Sequence, residues 1–229
     1  MNTNTAIDEN VLIQAGDAVL EGNLKVPENA KGIVLFAHGS GSSRHSPRNR
    51  YVAQVIREHG LGTLLFDLLT ADEERVDQAT RHLRFDIALL ASRLKAAARW
   101  IQNRNLTRHL KIGFFGSSTG GGAALVAAAQ MGPEVGAIVS RGGRPDLAGD
   151  ALARVASPSL LIVGELDEQV IALNKYAMQQ MNCEKQLIIV PGATHLFEEP
   201  GTLEAVAKHA AEWFREHLAG KADAAGNRN

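Results

Sequence analysis

A serine near the middle of the chain carries the strongest chemical signal in the sequence. Gly116–Gly120 reads G-x-S-x-G with Ser118 at its centre, between a predicted strand (Lys111–Phe115) and a predicted helix (Thr119–Gln130). A sharp strand-to-helix turn lifts such a hydroxyl above the sheet, and the flanking small residues let the chain pack closely. We predict that Ser118 is a nucleophile. The alternative is that it only caps the following helix.

Two later segments offer the base and the acid that a serine hydroxyl needs. Asp167 follows the predicted strand Ser159–Gly164, and His195 follows the last predicted strand, Gln186–Val190. Serine, acid and histidine in this chain order are typical of folds that carry such a turn. We predict that His195 takes the proton from Ser118, and that Asp167 fixes the tautomer of the imidazole and stabilises the imidazolium.

These residues also have plainer alternative roles. Asp167 could cap the helix predicted over Glu168–Met181, and His195 could be a surface turn residue. Asp146, in the loop after the predicted strand Val135–Ser140, is the second candidate for the acid, because some folds of this type place the acid one strand earlier. The remaining carboxylates nearby are expected to be solvated: Glu165, Glu198 and Glu199.

An oxyanion formed at a carbonyl carbon needs two hydrogen-bond donors. One is the backbone N–H of Thr119, which follows the nucleophile. The glycine-rich segment after the predicted strand Gly32–His38 offers the second, and we choose the N–H of Ser40, with Gly39 or Gly41 as alternatives. His38 is expected to orient this loop rather than to transfer protons.

Arg141 is the main candidate for substrate binding by charge, and Arg81 and Arg84 are weaker ones, because an amphipathic helix usually exposes its arginines to solvent. It directly follows the predicted strand Val135–Ser140, and residues just past the carboxyl ends of parallel strands face the ligand crevice. Its guanidinium could bind a substrate carboxylate in a bidentate manner. Alternatively, Arg141 pairs with Asp67 or Asp146 and braces the loops.

Short apolar runs alternate with helical patterns along the chain, which predicts a parallel sheet covered by helices on both faces. Val11–Gln14 and Ala18–Val26 predict an antiparallel hairpin at the start. A helix is predicted over Pro47–Glu58, and one long helix over Arg81–Asn103. The connection from Ser140 to Ser159 is too short for a cap domain. We expect one α/β domain over residues 1–219 and a disordered tail over residues 220–229.

Composition argues against several other classes of protein. With 24 basic and 25 acidic residues the net charge is −1, so we expect neither a nucleic-acid partner nor a charged membrane partner. The single cysteine, Cys183, excludes an internal disulfide and fits a cytoplasmic location.

Neither an H-E-x-x-H segment nor a P-loop is present, and no leader segment is evident. We expect no metal and no cofactor. The oligomeric state stays open.

Several stretches together resemble the α/β-hydrolase superfamily, and in particular its dienelactone-hydrolase-like branch. A bacterial group within this branch has similar segments, and some of its members are fused to a phosphoribosyltransferase-like domain, which we do not expect in this chain. The stretches that carry the resemblance are His38–Arg44, Ser46–Asn49, Arg81–Asp86, Ser140–Asp146 and His195–Gly201.

The resemblance implies an α/β-hydrolase fold and a triad of Ser118, Asp167 and His195. Dienelactone hydrolases themselves have a cysteine nucleophile, so Ser118 favours general ester hydrolysis over hydrolysis of dienelactone. We expect a hydrolase that cleaves small carboxylic esters or lactones through an acyl-enzyme intermediate. Thioester hydrolysis or acyl transfer would use the same residues. A fold that only binds a ligand is the third alternative, although such proteins usually have a broken triad.

Overall fold

The structure, a computed structural model, describes residues 5–219, so the predicted tail over residues 220–229 lies outside it. The strands in this range are β1 (Thr5–Ala15), β2 (Ala18–Pro27), β3 (Gly32–Ala37), β4 (Gly62–Phe66), β5 (Lys111–Ser117), β6 (Val135–Arg141), β7 (Ser159–Gly164) and β8 (Lys185–Val190). The α-helices are α1 (Pro47–Glu58), α2 (Ala71–Thr80), α3 (Ile87–Asn103), α4 (Thr119–Met131), α5 (Glu168–Gln180) and α6 (Thr202–Ala219).

All eight strands belong to one sheet, in the order β1-β2-β4-β3-β5-β6-β7-β8. β2 pairs antiparallel with both β1 and β4, whereas every other pair is parallel. This confirms the predicted, mostly parallel sheet with an antiparallel hairpin at its start. The carboxyl ends of parallel strands meet at one edge of a sheet, so the loops that follow β3, β5, β6, β7 and β8 lie together there.

Helices cover both faces of the sheet, as the apolar runs predict. On one face α3 and α4 pack against side chains such as Leu35 and Phe114. On the other face α1 and α6 pack against Phe36, Phe115 and Val139. The central strands β3 and β5 are therefore buried on both sides, which makes a rigid base for the loops at their carboxyl ends.

The segment before α3 differs from the prediction. The sequence pattern favours one helix over Arg81–Asn103, but α3 begins at Ile87, and residues 71–80 form the separate helix α2. α2 starts with a capping box in which Thr70 and Glu73 satisfy each other's backbone N–H groups. Its surface is charged and has no apolar stripe, which is why hydrophobic periodicity misses it.

A buried carboxylate explains why the two helices do not join. Asp77 accepts hydrogen bonds from the N–H groups of Leu83 and Arg84, at 2.7 and 3.2 Å, and from the Arg84 guanidinium at 2.5 Å. Burial alone would raise the pKa of Asp77, but these donors hold it below its usual value. The turn that results contains Arg81 in the left-handed region, with φ 58°.

The connection between β6 and β7 contains only short 3-10 turns, over Pro145–Arg154. No cap domain is inserted among residues 5–219, as predicted. None of the helices in this range combines the length and the hydropathy of a membrane span.

Candidate active site

Ser118 occupies a strained turn between β5 and α4. Its backbone has φ 50° and ψ −120°, a conformation that L-residues other than glycine rarely adopt. Its side chain makes no capping hydrogen bond to α4, so the capping alternative is wrong. The surrounding structure therefore maintains a strained backbone that presents a hydroxyl, as a nucleophile requires.

The two glycines of the motif are needed because backbones approach closely at this turn. A Cβ on Gly116 would lie 2.6 Å from the Cα of Gly121. A Cβ on Gly120 would collide with the carbonyl oxygen of Ala37 and lie 2.7 Å from that of His38. The start of α4 thus packs directly on the end of β3, and any side chain at either glycine would move Ser118.

Asp167 and His195 are in direct contact across two loops. The Nδ1 of His195 lies 2.6 Å from a carboxylate oxygen of Asp167, and the two side chains are 39% and 14% exposed. Asp167 does not cap α5 with its side chain, so that alternative is also wrong. The loops are held together by a backbone hydrogen bond from Leu166 to Ala193 at 2.9 Å.

Ser118 and His195 are linked through the end of β6. The N–H of Ser118 donates to the carbonyl of Arg141 at 3.2 Å. The next residue, Gly142, packs against His195, with a built Cβ 3.4 Å from the ring atoms Nδ1 and Cε1. Among the described residues, the Ser118 hydroxyl has no hydrogen bond to His195, and such bonds often form only when substrate is bound.

The loop after β3 lies against Ser118. A Cβ on Gly39, the residue before Ser40, would lie 3.1 Å from the Cβ of Ser118. Thr119 opens α4, where a backbone N–H has no partner within the helix. These are the two donors that the sequence predicts for an oxyanion. A pocket of about 260 Å³ adjoins the same loop and is lined in part by Gly41 and Glu74.

His38 anchors this loop. Its Nε2 accepts the N–H of Leu68 at 3.1 Å, and its Nδ1 lies 3.0 Å from the carbonyl oxygen of Gly39. Nδ1 must therefore carry the proton, which fixes a neutral imidazole. Burial lowers the pKa of His38 and keeps it in this form. The ring holds the loop backbone in place, as the sequence interpretation of His38 predicts.

The other carboxylates contact groups other than His195. Asp146 binds the Arg144 guanidinium at 2.8 and 2.7 Å. Glu165 accepts the N–H of Gly192 at 2.8 Å rather than standing free in solvent. The structure therefore brings Asp167, and not Asp146, to the imidazole.

The sequence misses Glu199, which was expected to be solvated. Its carboxylate accepts the N–H and the hydroxyl of Thr194, at 3.1 and 2.6 Å, next to His195. These hydrogen bonds lower the pKa of Glu199. The signal that could identify it is its position four residues after the histidine, on the same turn.

Arg141 is the last residue of β6 and is only 8% exposed. Neither expected bracing contact is present, because Asp67 binds Arg44 and Asp146 binds Arg144. The bracing alternative is therefore wrong for both acids. No group of three metal-binding side chains is found among residues 5–219.

The comparisons with known proteins agree with this architecture. The sequence profile described as "Dienelactone hydrolase family" matches residues 20–219. The chain belongs to the dienelactone hydrolase family. It is 59% identical to a dienelactone hydrolase from Anabaena variabilis of known crystal structure, with a TM-score of 0.91, covering 93% of this chain and 98% of that one.

Two further proteins are similar to this chain, one in structure and one in sequence. Est1E from Butyrivibrio proteoclasticus is 18% identical, with a TM-score of 0.76 over 92% of this chain and 99% of that one, so it shares the fold. A Mycobacterium tuberculosis protein, provisionally named a phosphoribosyl transferase, is 58% identical over 213 residues. These residues are 93% of this chain but 47% of that protein, so the chain spans about half the length of this relative.

Proposed function

We propose that this family member is a serine hydrolase that cleaves small carboxylic esters or lactones. The observation that carries the proposal is the 2.6 Å contact between Asp167 and His195, beside a serine held at φ 50° in a strand-to-helix turn. An acid that orients a histidine, next to a serine, is the arrangement that activates a hydroxyl for acyl transfer.

In the proposed reaction, Nε2 of His195 takes the proton of Ser118 as Oγ attacks the ester carbonyl carbon. The N–H groups of Thr119 and Ser40 stabilise the negative charge that forms on the carbonyl oxygen. The carbon–oxygen bond to the alcohol then breaks, and the alcohol takes the proton from His195. A water molecule, deprotonated in turn by His195, releases the acid and regenerates Ser118.

A serine-directed fluorophosphonate probe tests the nucleophile. We expect wild-type protein to be labelled and Ser118→Ala to be unlabelled. Ser92→Ala is a matched control, because Ser92 is exposed on α3, where its hydroxyl bonds only to Leu89 of the same helix. Folded wild-type protein that takes no label would favour a fold that only binds a ligand.

A substrate screen separates the related chemistries. Aryl esters of increasing chain length, lactones and thioesters should all be tested with wild type and Ser118→Ala. We expect cleavage of short oxygen esters that depends on Ser118. Faster cleavage of thioesters would assign thioesterase chemistry, and transfer to an added alcohol in preference to water would assign acyl transfer.

Because the mycobacterial relative is provisionally named a phosphoribosyl transferase, the screen should include one assay for that activity. That protein is about twice as long as the matched region, and the proposal concerns only the residues shared with this chain. Consumption of an activated phosphoribosyl donor by Ser118→Ala would reveal a transferase that does not use the serine. We expect none, and we place the small-molecule reaction in the cytoplasm, in keeping with the single Cys183.

A further inference from the structure

The side chain of Arg141 is buried on one face of the sheet, at the carboxyl end of β6. In the sheet register Arg141 pairs with Ser117, so it lies on the same face as Phe115, and its guanidinium carbon is 5.9 Å from the centre of that ring. This is the face covered by α1, α6 and the loop that carries His195. The charge is therefore buried on the face that also holds Ala193 and Phe197, which lie two residues before and after His195 in the chain.

No described acidic side chain neutralises this charge. The guanidinium makes no hydrogen bond among the described residues, and its Nη1 is fully buried without a partner. Burial, together with the neighbouring cation Arg48, lowers the pKa of Arg141 to about 10. Arg141 nevertheless stays protonated at neutral pH. A buried charge without a partner is unfavourable, so a purely structural role does not explain it.

Arg48 provides a second guanidinium at the start of α1. Its Nη1 donates to Glu198 at 2.8 Å, and its Nε is buried without a partner. Glu198 lies three residues after His195, so this ion pair joins α1 to the loop of the imidazole. Of the two guanidinium groups, only that of Arg48 contacts a carboxylate, so the positive charge of Arg141 is left unpaired.

We propose that Arg141 and Arg48 form a subsite for an oxyanion group, a carboxylate or a phosphate, on the substrate of this hydrolase. A guanidinium binds either group through two parallel N–H donors, and the low exposure of Arg141 strengthens such a contact. The assignment to substrate rests on the proposed function, because it requires an ester carbonyl at Ser118. The binding of an oxyanion by the two arginines does not depend on the proposed function.

Inorganic phosphate tests the binding step alone. We expect phosphate to raise the melting temperature of wild type and of Ser118→Ala, and to have no such effect on Arg141→Met. Without phosphate, Arg141→Met should melt no lower than wild type, because an uncharged side chain replaces an unpaired buried charge. A large fall in melting temperature, with the phosphate effect intact, would assign Arg141 to structure and overturn the subsite.

Matched esters test the link to substrate. We expect Arg141→Met to lower kcat/KM for an aryl ester of a dicarboxylic acid at least tenfold more than for its methyl-capped, neutral analogue. Arg48→Met should act in the same direction. Arg50→Met is the control, because Arg50 is exposed on the same helix, and it should match wild type with both esters. Equal losses with both esters would overturn the substrate assignment.

The two arms also separate the subsite from the proposed function. Phosphate binding that depends on Arg141, in a protein that cleaves no ester, would leave the subsite standing and remove the hydrolase proposal. Ester cleavage that depends on Ser118, but that neither phosphate nor Arg141→Met changes, would leave the hydrolase proposal standing and remove the subsite. Phosphate that binds through Arg141 without competing with the anionic ester would identify a free ion as the occupant and overturn the substrate assignment.

Discussion

Replacing Asp167 by asparagine should lower kcat by about 10- to 150-fold. The carboxylate lies 2.6 Å from Nδ1 of His195, and its side chain is only 14% exposed, so the substitution removes a charge-assisted hydrogen bond from a largely buried site. Such a bond contributes about 1.5–3 kcal/mol, which corresponds to this range of rates.

The orientation of the new amide decides whether the loss is larger. If its NH2 group donated to Nδ1, Nε2 would carry the ring proton and could not accept one from Ser118, and the loss would approach about 10⁴. Among the described residues, only His195 hydrogen-bonds to the side chain of Asp167, so no other hydrogen bond opposes an amide that turns its oxygen toward Nδ1. We therefore expect the smaller loss.

The assay is kcat for a short aryl ester, measured in parallel with the melting temperature of each variant. Asp146→Asn is the matched control: Asp146 is held by Arg144 and not by His195, so this variant should keep wild-type kcat. If Asp167→Asn left kcat unchanged while Asp146→Asn lowered it strongly, the assignment of the acid would be refuted. A loss near 10⁴ for Asp167→Asn, with unchanged melting temperature, would refute the argument about amide orientation.

Three further outcomes follow from the fold and its loops. Gly120→Ala should lower stability by about 1–3 kcal/mol, or about 2–12 °C in melting temperature, because its Cβ would meet the carbonyls at the end of β3. Gly132→Ala, at the other end of α4, would meet no atom within 4 Å and is opposed only by its φ of 60°, so it should cost less in the same thermal scan and should leave kcat unchanged. As pH falls below about 6.5, the free energy of unfolding should decrease in part through His38, because the unfolded chain binds a proton that burial excludes from the native ring. Urea titrations at several pH values should show that the unfolding free energy of His38→Asn depends less on pH than that of wild type. An unchanged dependence on pH would contradict this. Long-chain esters should show no sharp rise in rate above their micellar threshold, because no cap domain is inserted between β6 and β7; a sharp rise in that kinetic assay would contradict an open site.

Local signals in the sequence were sufficient for most elements. The bounds of α1 could be predicted because Ser46 caps the helix and Pro47 occupies its first position, and both effects act within one turn. The break between α2 and α3 could not be predicted. It depends on Asp77, whose buried carboxylate collects donors from the following turn only once that turn is packed.

The same division holds for the candidate site. Ser118, Asp167 and His195 could be proposed from the sequence because each follows a strand, and parallel strands bring their carboxyl ends to one edge. The state of Arg141 was decided only by the tertiary structure. Which acid pairs with an arginine depends on competition between segments of the chain. Here Asp67 pairs with Arg44 and Asp146 pairs with Arg144, so neither acid pairs with Arg141. Burial without a partner is a property of the packed layers, so no local pattern in the sequence encodes it.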